Sequence, residues 1–180
     1  MIDNVTPQLV GDLIRYFINP SPTTTTPLQN NKQPNTEVVN TPLRSHTCPH
    51  GAVILLCSQR TRDARCGQSA PLLRREFERH LRRLGLYRDL DDNRPGGVGI
   101  YFISHVGGHK YAANVIVYRR RDFQNDGQQE EGACQGIWLA RVKPEDCENI
   151  IRYTVLKGKV VKPQYQLRGG FDRERGVISW

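Results

Sequence analysis

The chain has 180 residues, 37% hydrophobic and 8% aromatic, which suffices for one compact domain with an appendage. No apolar run approaches the roughly eighteen residues of a membrane span, and Met1-Ile2-Asp3-Asn4 lacks the basic and apolar regions of a secretory signal, so a cytoplasmic protein without a membrane partner is expected. A net charge of +8 and a pI near 9.5 favour an anionic partner, but no aromatic stacking pattern interleaves the arginines. That argues against nucleic acid and leaves either a docking surface for partner proteins or a solvated face.

In chain order, residues 6–19 carry apolar groups at helical spacing (Val10, Leu13, Ile14, Phe17, Ile18), with Thr6 as N-cap and Pro7 in the first turn. Residues 1–19 thus read as an N-terminal helix or the remnant of a preceding domain. Residues 20–42, rich in Thr, Asn, Gln and Pro, read as a disordered linker. The folded domain is expected over 43–180.

Ala52 to Leu56 is a continuous apolar run of strand length, expected to be central and buried on both faces. After a polar loop, residues 71–84 read as an amphipathic surface helix with Leu73, Phe77, Leu81 and Leu84 inward, closed by Gly85. Val98 to Ile103 and Asn114 to Tyr118 are strand-like runs separated by a glycine-containing turn, and Ile137 to Val142 is a further strand. Pro144, Glu145 and Asp146 open a helix that closes at Lys157-Gly158. This order fits an α/β layer fold.

Five cysteines in a reducing compartment are more often metal ligands or redox groups than disulfides. Cys57 ends the first long strand, and a polar loop leads to Cys66-Gly67. His105 and His109 bracket Val106-Gly107-Gly108 in the turn between two strands. Two thiols near one strand end and two imidazoles in one turn point to a metal centre. A zinc finger would have closer cysteines and a shorter gap to the histidines. A cysteine phosphatase loop would need arginine where Asp63 stands, and a dithiol oxidoreductase would prefer C-x-x-C. A [2Fe-2S] cluster accepts ligands from separate loops and two histidines on one iron. The same four ligands could also hold zinc in a binding module, the alternative function.

The pattern Cys57-x8-Cys66-Gly67, then His105-Val106-Gly107-Gly108-His109-Lys110-Tyr111-Ala112-Ala113-Asn114, then Gly136-Ile137-Trp138, resembles the sucrase/ferredoxin-like family over residues 48–180. The resemblance implies a thioredoxin-like ferredoxin domain, a mixed sheet flanked by helices. It also implies a [2Fe-2S] cluster with Cys57 and Cys66 on one iron and His105 and His109 on the other. A longer N-terminal half is usual in that family, which implies a truncated chain here. The terminal Ile178-Ser179-Trp180 resembles the signal read by the cytosolic iron–sulfur assembly machinery.

Two thiolates and two neutral imidazoles cancel the two positive charges of the oxidised core, so the site accepts an electron more readily than a four-cysteine one. Titration of the imidazoles would couple proton to electron uptake. The expected function is therefore a one-electron carrier rather than a stand-alone enzyme. Its redox partner proteins are unspecified, and a homodimer is left open. His46, Cys48 and His50 form a rival ligand source, Cys134 reads as a thiol and Cys147 as core. His80 reads as solvated, and Lys110, Tyr111 and Asn114 as supports around the histidine turn.

Overall fold

The computed structural model describes residues 1–24, 26, 41–92, 94–104, 110–121 and 132–177. The histidine turn at 105–109, the terminal tripeptide and most of the linker expected at 20–42 lie outside the described residues.

Strand β1 (Ile2–Asp3) pairs with β2 (Arg44–Ser45) in a small antiparallel ribbon, which ties the N-terminus to the start of the folded domain. Between them, α1 (Val10–Leu13) is flanked by a 3₁₀ turn (Pro7–Leu9) and a π-helical stretch (Ile14–Ile18). The expected helix is there, with Pro7 in its first turn, but the Thr6 side chain makes no cap.

The main sheet has seven strands in the order β4-β5-β3-β6-β7-β8-β9. Its centre is β3 (Ala52–Cys57), whose neighbours are β5 (Val98–Ile103), parallel, and β6 (Val115–Arg119), antiparallel. The short β4 (Tyr87–Arg88) edges β5, while β7 (Gln135–Leu139), β8 (Leu167–Asp172) and β9 (Gly176–Val177) continue from β6 as an antiparallel meander. A mixed α/β sheet results.

Alternation along β3 sends Ala52, Ile54 and Leu56 into the core beneath Leu73, Phe77 and Leu81 of α2 (Ala64–Arg83). Ile150, Ile151 and Val155 close the same layer from the helix that runs from Pro144 through α3 (Cys147–Asn149). Each of these side chains larger than alanine contributes about 1.5–3 kcal/mol by leaving water. The opposite face (Val53, Leu55, Ile116, Trp138) is only half-covered. Burial of β3 on both faces, expected from its apolar run, therefore holds on the helix side alone.

Helix α2 begins seven residues before the expected start at 71, so Cys66 lies inside a helix and not in a loop. Asp63 is the reason: its carboxylate accepts from the Arg65 N–H and caps the new first turn. Pro71 is carried within the second turn, where its missing N–H breaks one rung only. At the other end Gly85 takes a φ of +69°, with Leu86 N–H on the Leu81 carbonyl and Gly85 N–H on that of Arg82, a Schellman closure. Strand β8 was invisible in the sequence because Arg168-Gly169-Gly170 breaks any alternation. No helix among the described residues is long and apolar enough to cross a membrane.

Candidate metal centre

Cys57 occupies the last position of the central strand and is 2% exposed, and Cys66 occupies the first turn of α2 and is 1% exposed. Neither is in a disulfide. The connection between them is tight: Asp63 O accepts from the N–H groups of Cys66 and Gly67, at 3.1 and 3.3 Å. A Cβ on Gly67 would lie 2.9 Å from the Arg60 Cα, so only glycine lets the turn pack onto the helix start. The two thiols are thus delivered to one end of the sheet by two rigid elements and a short turn. Negative charge there is favoured by the positive end of the α2 dipole.

The backbone around Cys57 is clamped from both sides. Its N–H donates to Asn114 O at 3.1 Å, and the following Ser58 donates its N–H and its hydroxyl to Ile103 O, at 3.0 and 3.2 Å. Ile103 ends β5 and Asn114 precedes β6. Because β3 lies between these strands, the runs 98–103 and 114–118 do not pair with each other. The chain from β5 to β6 starts and ends at the strand end that holds Cys57.

Asn114 is buried at 4% exposure. Its amide donates to Tyr111 O at 3.0 Å and accepts the indole N–H of Trp138 at 3.1 Å, which fixes the return into β6. Ala113 just before it has a φ of +52°. Asn114 therefore supports this end of the sheet through hydrogen bonds, and Trp138 of the sequence motif is its partner.

The rival ligands are placed elsewhere. His50 and Cys48 lie before Ala52, at the opposite end of β3, and a six-residue strand is about 17 Å long. His50 stacks on bare Gly99 and its Nε2 is 2.7 Å from the Tyr101 hydroxyl. Burial, with Arg88 and Arg120 nearby, lowers its pKa. His46 is exposed and 2.8 Å from the Asp3 carboxylate. None of these can share a centre with Cys57.

Cys147 is fully buried in the core, as its spacing predicts, and burial pushes its thiol far up. His80 is not solvated: its side chain is 12% exposed and lies against Arg79 and Glu76. Among the described residues Cys134, Asp172 and Glu174 are the one group whose metal-binding atoms cluster, within 4.8 Å. Their chemistry is already satisfied. Asp172 accepts from Gln135 and from the N–H groups of Glu174 and Arg175, Glu174 pairs with Arg121 at 2.6 Å, and burial raises the Cys134 thiol.

At Arg65, the residue before Cys66, lies a feature the sequence does not announce. Arg65, Lys110, Arg141 and Lys143 line an open cleft of about 300 Å³ with Tyr111 and Tyr165. The Arg141 guanidinium stands 3.7 Å and that of Arg168 4.4 Å from the centre of the Tyr111 ring, with the Lys110 ammonium at 5.5 Å. The Lys110 hydrogen bond, then the charges of Arg141, Lys110 and Arg168, lowers the Tyr111 pKa. Arg141 reaches this position from a left-handed backbone, φ +56°, which no local sequence signal foretells.

The sucrase/ferredoxin-like family model matches residues 1–169, taking in the N-terminal helix that the motifs alone did not. The chain is 40% identical over 112 residues to actin patches distal protein 1 of Saccharomyces cerevisiae, covering 62% of this chain and 32% of that protein. It is 35% identical over 136 residues to altered inheritance of mitochondria protein 32 of Clavispora lusitaniae, covering 76% of this chain and 42% of that one. It thus spans about a third to two fifths of the length of these relatives. Among solved structures, the thioredoxin-like [2Fe-2S] ferredoxin from Aquifex aeolicus is similar at 18% identity and a TM-score of 0.39, over 73% of this chain and 96% of that one. The chain belongs to the sucrase/ferredoxin-like family.

Proposed function

We propose that Cys57, Cys66, His105 and His109 hold a [2Fe-2S] cluster and that the protein carries single electrons, with proton uptake coupled at the histidines. The observation that carries this reading is the clamp on Cys57. Its two backbone anchors, Ile103 and Asn114, are the two ends of the chain segment that contains both histidines in sequence. Cys66 joins from the first turn of α2. Two buried thiols outside disulfides are the soft donors that iron–sulfur centres use.

The cluster would supply a reversible one-electron couple at a potential raised by histidine ligation. The surrounding residues do the rest. Burial of both cysteines keeps water from the sulfurs, the hydrogen bonds of Asn114 hold the strand end, and the cationic surroundings favour the reduced, more negative state. Cytoplasmic placement, and delivery through the terminal Ile178-Ser179-Trp180, belong to this same proposal.

Iron and sulfide analysis with a visible spectrum tests it. Two irons and two sulfides per chain in a red-brown protein are expected, with loss of colour in Cys57→Ser and in Cys66→Ser. Replacing His105 or His109 by cysteine should keep the iron, shift the spectrum and flatten the dependence of potential on pH. A colourless protein holding one zinc would instead establish the binding-module alternative.

A further inference from the structure

We infer that the cleft between Tyr111 and Tyr165 is the docking site for an acidic face of a protein partner. That this partner exchanges electrons with the chain rests on the proposed function; that it is an acidic protein does not.

The charge of the chain divides into two kinds of surface. On α2 three of the six arginines are paired within the helix: Arg74 and Arg82 lie on Glu78 at 2.7 and 3.9 Å, and Arg79 on Glu76 at 2.6 Å. In the cleft the balance is different. Arg65 is paired with Asp63 and Lys143 loosely with Glu145, but Lys110, Arg141 and Arg168 have no carboxylate partner among the described residues. Three unpaired cations around one aromatic ring repel one another, and an incoming carboxylate relieves that repulsion. Arg141 also keeps a left-handed backbone that costs about 1–2 kcal/mol in a non-glycine residue, which is characteristic of binding positions.

The geometry favours a protein over a small anion. Small-anion sites are enclosed and lined by unpaired backbone N–H groups. Here the N–H groups of Arg141 and Val142 are already spent on Ala112 O and Ala113 O. Tyr165 is 51% exposed, and arginine beside tyrosine is the composition of interface hot spots. The position completes the case: Arg65 adjoins Cys66 in sequence, and Lys110 follows His109. A partner seated there would lie against the proposed redox centre.

A fluorescent oligoglutamate peptide is the probe, titrated into the 180-residue chain as purified, with iron measured on the same sample. Saturable binding that weakens with salt is expected, reduced about tenfold or more in Lys110→Glu/Arg141→Glu. The milder Lys110→Gln/Arg168→Gln should show the same loss in part, and circular dichroism verifies folding of both. Arg75→Glu/Arg83→Glu, an equal charge change on the exposed face of α2, should bind as the parent does. Equal loss in that control pair, absence of saturable binding, or displacement of the peptide by submillimolar inorganic phosphate would overturn the inference. A colourless chain that binds the peptide defeats only the cluster, and a red one that does not defeats only the docking site.

Discussion

The two ends of β3 carry the same kinds of residue and use them in opposite ways. At its beginning, Cys48 and His50 stand beside Tyr101. At its end, Cys57 stands where the chain leaves β5 at Ile103 and enters β6 after Asn114, with Cys66 in the first turn of α2. The first end is closed: the His50 ring packs on Gly99, one nitrogen meets the Tyr101 hydroxyl, and burial favours its neutral form. The second is built around the clamped backbone at Cys57 and Ser58. Its hydrogen bonds run through backbone groups, the Ser58 hydroxyl and Asn114, and both thiols are buried. The difference teaches that a Cys–His pattern does not mark a site by itself, because at the first end the fold spends its histidine on packing and one hydrogen bond.

That comparison is sharpened most by Asn114. Changing it to alanine strands the Trp138 indole N–H and the Tyr111 carbonyl, and urea titration should register a loss of about 3 kcal/mol. If the second end serves the metal centre, the same variant also changes the visible spectrum. An unaltered spectrum with the full stability loss would make Asn114 purely structural.

His50→Leu probes the first end, with a smaller effect. It should cost about 1 kcal/mol or less at neutral pH, because the lost Tyr101 hydrogen bond is offset by removal of a buried Nδ1 that has no partner. Iron content should not change. Acid supplies the finer test. The folded-state pKa of His50 lies below its ordinary 6.5, so the unfolded chain binds the proton first as pH falls. Stability from this group is complete above about pH 6.5 and declines as pH drops from there through the folded value. Arg88 and Arg120 deepen the decline, and Asp92 opposes it. Chemical denaturation across that range should show the decline in the parent and a shallower one in His50→Leu.

The smallest effect belongs to Ala113, whose φ of +52° glycine adopts without strain. Ala113→Gly should raise stability by about 0.5 kcal/mol, the relief of strain exceeding the added unfolded-state freedom. A thermal melt shifted downward would mean that Ala113 packing against the core matters more than its backbone.

Much of this molecule is written in local chemistry. The apolar run of β3, the inward spacing of Leu73, Phe77 and Leu81, the closure at Gly85 and the proline-opened helix at Pro144 each follow from neighbours a few residues away. The cysteines and histidines stood out for the same reason, as residue types at telling intervals. What lay outside local reach needed strands to pair. Only the sheet order shows that β3 separates β5 from β6, so that the chain crosses from one to the other at the Cys57 end. The sheet likewise sends His50 to the far end of the strand, and the Asp63 cap draws Cys66 into α2. Arg141 and Arg168 are far from Tyr111 in sequence, and they meet its ring because β7 and β8 run side by side and carry them there. Residue types and short periods thus determined which groups carry the chemistry, while hydrogen-bonded pairing of distant segments decided which of them stand together.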